Sequence, residues 1–381
     1  MRRRAAPGRG GGGRGCRTGA GLMTVRLRYY ITGHGLGHAS RSCRIIAALC
    51  ARHPAIRCEV VSDAAPWFLA GNLPPGVPVA ARTFDIGVRQ ADSLEMNLAA
   101  TVTACRTLQA AAPGLIAAES ADLRRAGIDL VVTDVAALPC AAAAAAGIPA
   151  VIASNFTWDW IYEGFLDSHP DFAAVIAWQR DCYRQARLAL RLPFPGPMPQ
   201  GVATVDLPLV TRRSTMPREL VRRRLGVTGR RRLALLSFGG FGLEAAPLDG
   251  LGGIAEWLFL AETPLAAGHP QLRPLPAEIP YPDLVNAADA VITKPGYGIV
   301  AECLAHRTAV LYTPRGDFRE QALLVAGLHR YGRAVEIDNQ RLRRGDLHAA
   351  LERLAALPQP PETLATNGAE VAADHLAGLL A

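Results

Sequence analysis

The chain has 381 residues, half of them hydrophobic and 19% charged, so it is long enough for two domains with large cores and is not a disordered protein. Its formal charge of +8 at pH 7 does not indicate nucleic-acid binding, because six of these charges are arginines in residues 1–22, a segment without acids. No apolar stretch approaches the ~20 residues that a membrane-spanning helix needs.

Residues 1–22 are rich in glycine and arginine and contain no apolar run. We expect a disordered tail or a mis-assigned start, with Met23 as the start that precedes the first strand. An arginine-rich nucleic-acid arm is the alternative. The eight cysteines are scattered without a C-x-x-C pair, and the histidines do not cluster. This pattern favours reduced thiols in a cytoplasmic protein over a zinc site or a disulfide framework.

In the first half, apolar strands alternate with helical segments. The predicted elements are a strand at Val25–Thr32, a glycine-rich loop at Gly33–His38, a helix from about Ala39 to Arg52, a strand at Arg57–Ser62, a strand at Ile128–Thr133 that ends at Asp134, an alanine-rich helix, and a short strand at Ala150–Ala153. Near-continuous Val/Ile/Leu strands that alternate with helices predict a parallel sheet covered on both faces.

Prolines interrupt the pattern between about residues 193 and 217, and a second copy of the same architecture follows. Its predicted strands are Arg232–Phe238, Glu256–Ala261, Ala290–Thr293 and Ala309–Thr313, with a last helix at about Thr363–Leu380. The sequence therefore predicts an α/β protein with two Rossmann-like domains facing across a cleft. We place them at residues 23–205 and 206–362, and the C-terminal helix, in residues 363–381, could pack back on the first domain.

Lys294 is the only lysine, whereas the other forty basic residues are arginine. A compact ammonium can meet a single phosphate oxygen, which the planar guanidinium does less well. Lys294 precedes Gly296 and Gly298 in a turn before a helix, where free N–H groups and the helix dipole favour phosphate. Glu302, about two turns into that helix, could accept hydrogen bonds from a ribose diol. Alternatively, Lys294 lies on a solvated loop and Glu302 on a solvated helix face.

Two further groups follow neighbouring strands. Gly239 and Gly240 would let the backbone approach a diphosphate or a sugar, and Glu320 with Gln321 offers an acceptor and an amide for sugar hydroxyls. Glycine turns after strands are also ordinary connections in α/β proteins. In this order along the chain, the groups together indicate a nucleotide-diphosphate sugar.

The glycine-rich loop, the segment Lys-Pro-Gly-Tyr-Gly-x-x-x-Glu and the segment Asp-Phe-Arg-Glu-Gln resemble the donor half of GT-B glycosyltransferases. The plant enzymes of this group carry His-Cys-Gly-Trp-Asn-Ser-x-x-Glu. The resemblance implies that Lys294 replaces their phosphate-binding His, Tyr297 their aromatic residue, Glu302 their ribose-binding Glu and Gln321 their sugar-contacting Gln. Gly298 and Ile299 replace their Asn and Ser, so phosphate contacts there would come from the backbone. The donor half is also similar to the enzyme that adds N-acetylglucosamine to the peptidoglycan lipid precursor.

The Gly37–His38 pair matches the Gly-His of the same superfamily, in which the His is the general base. The resemblance implies this role for His38, with Asp134 as the acid that orients it and His34 as a rival base. Asp134 could instead cap the alanine-rich helix. Residues 33–41 and 154–162 look similar to a bacterial group that includes the glycosyltransferase-like N-terminal region of plant L-arabinokinases.

An acceptor pocket is expected at Asn155, Trp158 and Asp159, where an aromatic ring beside polar groups suits a sugar ring or a lipid; alternatively, Trp158 belongs to the core. A dehydrogenase is disfavoured because the Gly33, Gly35 and Gly37 spacing differs from G-x-G-x-x-G.

We therefore expect a glycosyltransferase of the hexosyltransferase type that is metal-independent and needs no cofactor, since the nucleotide-sugar is a co-substrate. Its partners would be a nucleotide-sugar, with UDP implied by the resemblance, and a small-molecule, glycan or lipid acceptor. Inversion at the anomeric carbon is likewise implied. No nucleic-acid partner is expected, and peripheral membrane contact is compatible with the sequence. A non-catalytic nucleotide- or sugar-binding module and a nucleotide-sugar epimerase are the alternatives.

Overall fold

The computed structural model describes residues 25–90, 96–239, 248–267, 269 and 271–380. The predicted tail at 1–22 and the predicted donor contact Gly240 lie outside these residues.

The first half is built on a seven-stranded parallel sheet with the strand order β3-β2-β1-β4-β5-β6-β7. The strands are β1 Val25–Ile31, β2 Ile56–Ser62, β3 Val79–Ala80, β4 Leu130–Asp134, β5 Ala150–Ser154, β6 Leu188–Arg191 and β7 Ala203–Asp206. The helices are α1 Leu36–Arg52, α2 Pro66–Asn72, α3 Leu98–Arg125, α4 Leu138–Ala146, α5 Trp158–Glu163 and α6 Phe172–Tyr183. Both faces of the sheet are buried: Leu130 and Val132 belong to one hydrophobic cluster and Val131 to another.

The second half has a six-stranded parallel sheet with the order β10-β9-β8-β11-β12-β13. Its strands are β8 Arg232–Ser237, β9 Trp257–Ala261, β10 Leu272–Pro274, β11 Ala290–Thr293, β12 Ala309–Tyr312 and β13 Ala334–Glu336. Its helices are α7 Arg218–Arg224, α8 Thr263–Ala267, α9 Tyr281–Ala287, α10 Tyr297–His306, α11 Glu320–Tyr331, α12 Asn339–Arg344 and α13 His348–Ala356, with a 3-10 turn at Asp249–Gly253. In each sheet the order reverses beside the first strand of that half, and binding sites of such sheets lie there, at the carboxyl ends of the strands.

Two helix boundaries differ from expectation in ways that matter for the site. Helix α1 begins at Leu36 rather than Ala39, so His38 lies in its first turn. Helix α4 begins at Leu138 after Ala137 at the N-cap position, so Asp134 does not cap it. His38 and Asp134 lie at the carboxyl ends of adjacent strands, because β1 pairs directly with β4.

The last helix, α14, spans Gly368–Gly378 and is shorter at both ends than predicted. The chain ahead of it is held by the segment between the halves, since Leu209 donates its N–H to the carbonyl of Ala365 and receives the N–H of Gly368 at its own carbonyl. Helix α14 packs on α1, with Asp374 accepting from Arg52 at 2.7 Å. One hydrophobic cluster runs from the first sheet through α1 and α14 to the second sheet.

Within the described part of the chain, no helix is long and apolar enough to cross a bilayer.

Candidate active site

His38 and Asp134 meet at the carboxyl end of the first sheet. Asp134 is the last residue of β4 and lies in register with Ile31 of β1, from which the chain turns into α1. His38 Nδ1 lies 2.9 Å from Asp134 Oδ1, and both side chains are buried. A carboxylate on one imidazole nitrogen fixes the tautomer and leaves the other nitrogen as a proton acceptor.

Arg41 and Ser42, which the sequence analysis did not single out, complete the surroundings of Asp134. The Nε and Nη2 atoms of Arg41 donate to the two carboxylate oxygens at 2.7 and 2.6 Å, and Ser42 Oγ donates at 2.8 Å. Burial alone would raise the pKa of Asp134, but the charge of Arg41 and the contact with His38 hold it well below its usual range. The helical spacing from His38 to Arg41 and Ser42 was the available signal, because residues three and four apart share a helix face.

The protonation of His38 follows from these contacts. Nη2 of Arg41 also lies 2.9 Å from His38 Nδ1, but it has acceptors in Asp134 Oδ1 and in Ser154 Oγ at 3.0 Å. We therefore assign the Nδ1 proton to the hydrogen bond with Asp134, which leaves Nε2 unprotonated. Burial first and Arg41 second lower the pKa of His38, against the opposing effect of Asp134. His38 is thus a neutral imidazole at pH 7, the form that a general base needs.

His34, the rival base, is held differently. Its Nδ1 accepts from the backbone N–H of Val88 at 3.4 Å, and its ring meets the Trp158 ring edge-on at 5.1 Å. Burial first, and then the electrostatic effects of His38, Arg315 and Lys294, lower its pKa well below 6.5. Arg315 and Lys294 belong to the second half, so cations of that half lie near this loop of the first half.

The expected acceptor residues are more enclosed than the sequence analysis anticipated. Trp158 is fully buried, and its indole N–H donates to Asp85 at 2.7 Å behind the two histidines. Asp159 accepts from Arg180 at 3.1 Å on the outer side of α5. Asn155 accepts from Arg41 and donates to Glu320 of the second half at 2.8 Å. Trp158 therefore packs in the core and Asn155 joins the two halves, while an acceptor pocket at Asn155, Trp158 and Asp159 stays a prediction.

On the other side of the cleft, helix α10 begins directly against α1. A Cβ atom on Gly298 would lie 3.2 Å from Gly37 Cα, so two glycines allow the first turns of the helices to touch. Tyr297 is buried, with the Arg41 guanidinium 4.9 Å from its ring centroid and its hydroxyl accepting from the Val210 N–H. Gly296 is the N-cap residue of α10, and Lys294 directly follows β11. The predicted phosphate turn and the predicted base therefore face each other.

Glu302 is held by an ion pair, and its predicted hydrogen bonds to a ribose diol stay a prediction. Its carboxylate accepts from Arg212 Nε at 2.6 Å, and Arg212 also donates to Asn72 of the first half at 3.1 Å. Burial raises the pKa of Glu302 and Arg212 opposes the shift. This ion pair has no local signature in the sequence, because the two residues are ninety positions apart.

The remaining donor-side residues lie at the ends of β8 and β12. Gly239 has φ 68°, a conformation that favours glycine. Glu320 begins α11 and accepts from Asn155, while Gln321 accepts the backbone N–H of Arg315 at 2.7 Å. Among the described residues, no group of three or more His, Cys, Asp or Glu could hold a metal ion.

Comparisons with known proteins agree with this architecture. The sequence is 31% identical over 362 residues to the L-arabinokinase of Arabidopsis thaliana, an alignment that covers 91% of this chain and 34% of that protein. The chain thus spans about a third of the length of the curated relative it matches. No family model matches the sequence.

Solved structures of glycosyltransferases superpose on almost the whole chain. The calicheamicin glycosyltransferase CalG4 has a TM-score of 0.61 and 17% identity, covering 94% of this chain and 99% of that one. MurG of Acinetobacter baumannii has a TM-score of 0.54 and 14% identity, with coverage of 93% and 99%. A UDP-glucosyltransferase from Polygonum tinctorium has a TM-score of 0.55 and 13% identity, with coverage of 93% and 98%. The chain therefore has the GT-B glycosyltransferase fold, with two Rossmann-like domains facing across a cleft.

Proposed function

We propose that this protein is a glycosyltransferase that moves a sugar from a nucleotide-diphosphate sugar, with uridine as the expected base, to an acceptor hydroxyl. The observation that carries the proposal is the meeting of α1 and α10. The His38–Asp134 pair and the turn at Gly296 lie at the carboxyl ends of the two parallel sheets, where α1 and α10 are in contact at Gly37 and Gly298. A nucleotide-sugar bound between them would have its diphosphate beside α10 and its anomeric carbon toward His38.

In the proposed reaction, His38 Nε2 accepts the proton of the acceptor hydroxyl while that oxygen bonds to the anomeric carbon. The bond between this carbon and the phosphate oxygen breaks, and its electron pair leaves with the diphosphate. Direct displacement inverts the configuration at the anomeric carbon. Asp134 stabilises the imidazolium that forms, and Arg41 keeps Asp134 ionised and in place.

The leaving diphosphate needs donors that are in position before charge develops. The N–H groups of the first turn of α10 and the ammonium of Lys294 would supply them. Glu320 and Gln321 follow the neighbouring strand and would contact the hydroxyls of the sugar.

Ligand-dependent thermal stability of the full chain tests the donor site. UDP, TDP, GDP, ADP and NAD are compared for wild type, for Lys294→Ala and for Arg223→Ala, which removes an exposed charge on α7. A ligand that binds only the folded state, at a concentration a hundredfold above its dissociation constant, raises the free energy of unfolding by about 2.7 kcal/mol. We expect one diphosphate to raise the melting temperature of wild type and of Arg223→Ala but not of Lys294→Ala. No response to any diphosphate would refute the proposal.

A non-catalytic nucleotide-sugar-binding module is the second candidate, because Arg212 already neutralises Glu302. Both candidates predict binding, so turnover separates them. Release of nucleoside diphosphate from a nucleotide-sugar, lost in His38→Gln with binding retained, supports the transferase. Binding without any release, over a panel of acceptors, supports the module.

A further inference from the structure

Arg315 is a buried cation without a full set of partners. Arg315 follows β12, and its exposed fraction is 8%. Among the described residues, its Nε atom has no hydrogen-bond partner. Nη1 donates to the carbonyl of Pro295 at 3.3 Å, and the nearest carboxylate oxygen, Oε2 of Glu320, lies 3.9 Å from Nη1, beyond hydrogen-bond distance. Burial lowers the pKa of Arg315, and Glu320 compensates only in part.

Such an arrangement is costly unless an anion completes it. A guanidinium has five N–H donors in a fixed fork, and a buried charge left without a matched partner destabilises the fold. The Phe318 ring, 3.8 Å from the central carbon, covers one face of the group but accepts no N–H bond in the guanidinium plane. Glu320 is shared, because its other oxygen accepts from Asn155.

The position of Arg315 identifies which anion fits. Its contact with the carbonyl of Pro295 places the guanidinium against the turn between Lys294 and Gly296, where α10 begins. Arg315 and Lys294 both act on His34, so the two cations lie near the same loop of the first half. Two cations and a helix N-terminus match the charge of a diphosphate.

We propose that Arg315 binds the diphosphate of the donor and stabilises it as the leaving group, which deepens the proposed function and rests on it. Gly298 and Ile299 carry no side-chain donors, so the first turn of α10 offers phosphate only its backbone. Arg315 supplies the missing side-chain donors from the neighbouring strand end. As the bond to the anomeric carbon breaks, its N–H groups meet the growing charge on the diphosphate oxygens.

Calorimetric titration of the full chain with UDP, inorganic pyrophosphate and uridine tests this role. Arg315→Gln keeps an amide but removes the charge, Arg315→Lys keeps the charge but removes the fork, and Arg330→Gln removes an exposed charge on α11. We expect Arg315→Gln to weaken the binding of UDP and of pyrophosphate at least tenfold and to leave the affinity for uridine unchanged. Arg315→Lys is expected to recover part of the loss, and Arg330→Gln to match wild type.

Thermal stability without ligand separates binding from a structural role. Since the cation is buried and under-partnered, Arg315→Gln should melt at the same temperature as wild type or higher, whereas a structural residue would lower it. Unchanged binding of UDP in Arg315→Gln would overturn the proposal while leaving the transferase proposal intact. UDP-glucuronate is titrated as well. If Arg315→Gln weakens the binding of UDP-glucuronate but not that of UDP, the Arg315 proposal is also overturned, because Arg315 would then bind the sugar carboxylate. If wild type binds neither pyrophosphate nor any of UDP, TDP, GDP and ADP, both proposals fail together.

Discussion

At the scale of single residues, the site depends on how one carboxylate is shared. Asp134 receives donors from His38, Arg41 and Ser42 within a fully buried environment. Arg41 keeps Asp134 ionised, while burial first and the positive charge of Arg41 second lower the pKa of His38. The result is a histidine that is oriented by an acid and is neutral at physiological pH.

This balance predicts the pH dependence of catalysis. Because the pKa of His38 is lowered from 6.5, its base form persists as the pH falls, and activity is lost only below that lowered pKa. We expect the acidic limb of the kcat/KM profile with nucleotide-sugar and acceptor to lie below pH 6.5. His38→Gln should remove the limb and reduce kcat by about 10²–10⁴-fold, the usual contribution of a general base.

His34→Gln is the matched control for that measurement. It should leave the limb near its wild-type position, because His34 Nδ1 accepts from the backbone of Val88. If the limb instead disappears with His34→Gln and survives in His38→Gln, the rival histidine is the base.

At the scale of elements, the C-terminal helix is fixed to the rest of the chain at its first residue. A Cβ atom on Gly368 would lie 2.0 Å from the carbonyl oxygen of Pro208, which is backbone and cannot move aside easily. The same glycine donates its N–H to Leu209, so this contact joins α14 to the segment between the two halves.

Gly368→Ala should therefore destabilise the protein by about 1–3 kcal/mol, the usual cost of overpacking, and loosen α14 from α1. Chemical denaturation gives the stability change, and limited proteolysis of residues 362–380 reports the detachment. Gly378→Ala is the control within the same helix, because a Cβ there has no neighbour within 4 Å. Equal stability and equal proteolysis of the two variants would contradict the docking seen here.

At the scale of the whole molecule, the two halves meet through small contacts around the cleft. Gly37 and Gly298 bring the backbones of α1 and α10 together, and Asn155 donates to Glu320 in a buried hydrogen bond between the halves. Because catalysis in the proposed reaction needs both halves around one substrate, these contacts set how far the cleft can close.

Gly298→Ala separates helix stability from closure. Alanine is a better helix former than glycine by about 1 kcal/mol, so α10 itself should not lose stability. The added Cβ would lie 3.2 Å from Gly37 Cα, so α1 must move away by a few tenths of an ångström. We expect kcat/KM to fall several-fold without a matching loss of thermal stability. Gly114→Ala in α3, where a Cβ has open space, should leave kcat/KM unchanged; equal effects would argue against closure at these glycines.

Local sequence was enough to predict four strands in each half, because buried parallel strands require continuous apolar runs. The short strands β3, β6, β7, β10 and β13 were not predicted. Local sequence also located the turn before α10, since a lone lysine and two glycines after a strand are local features. The pairing of His38 with Asp134 is implied by the resemblance to GT-B glycosyltransferases. In the structure, His38 Nδ1 and Asp134 Oδ1 lie within hydrogen-bond distance.

The tertiary structure alone decided which charges meet. Arg212 with Glu302, Asn155 with Glu320 and Arg41 with Asp134 are each ninety or more residues apart, and no periodicity links such positions. The burial of Trp158 and the incomplete partners of Arg315 likewise depend on tertiary packing rather than on local sequence. Local patterns fix strands and helices because they depend on neighbours in the chain. The ion pairs of the cleft depend on surfaces that come together only after both sheets have formed.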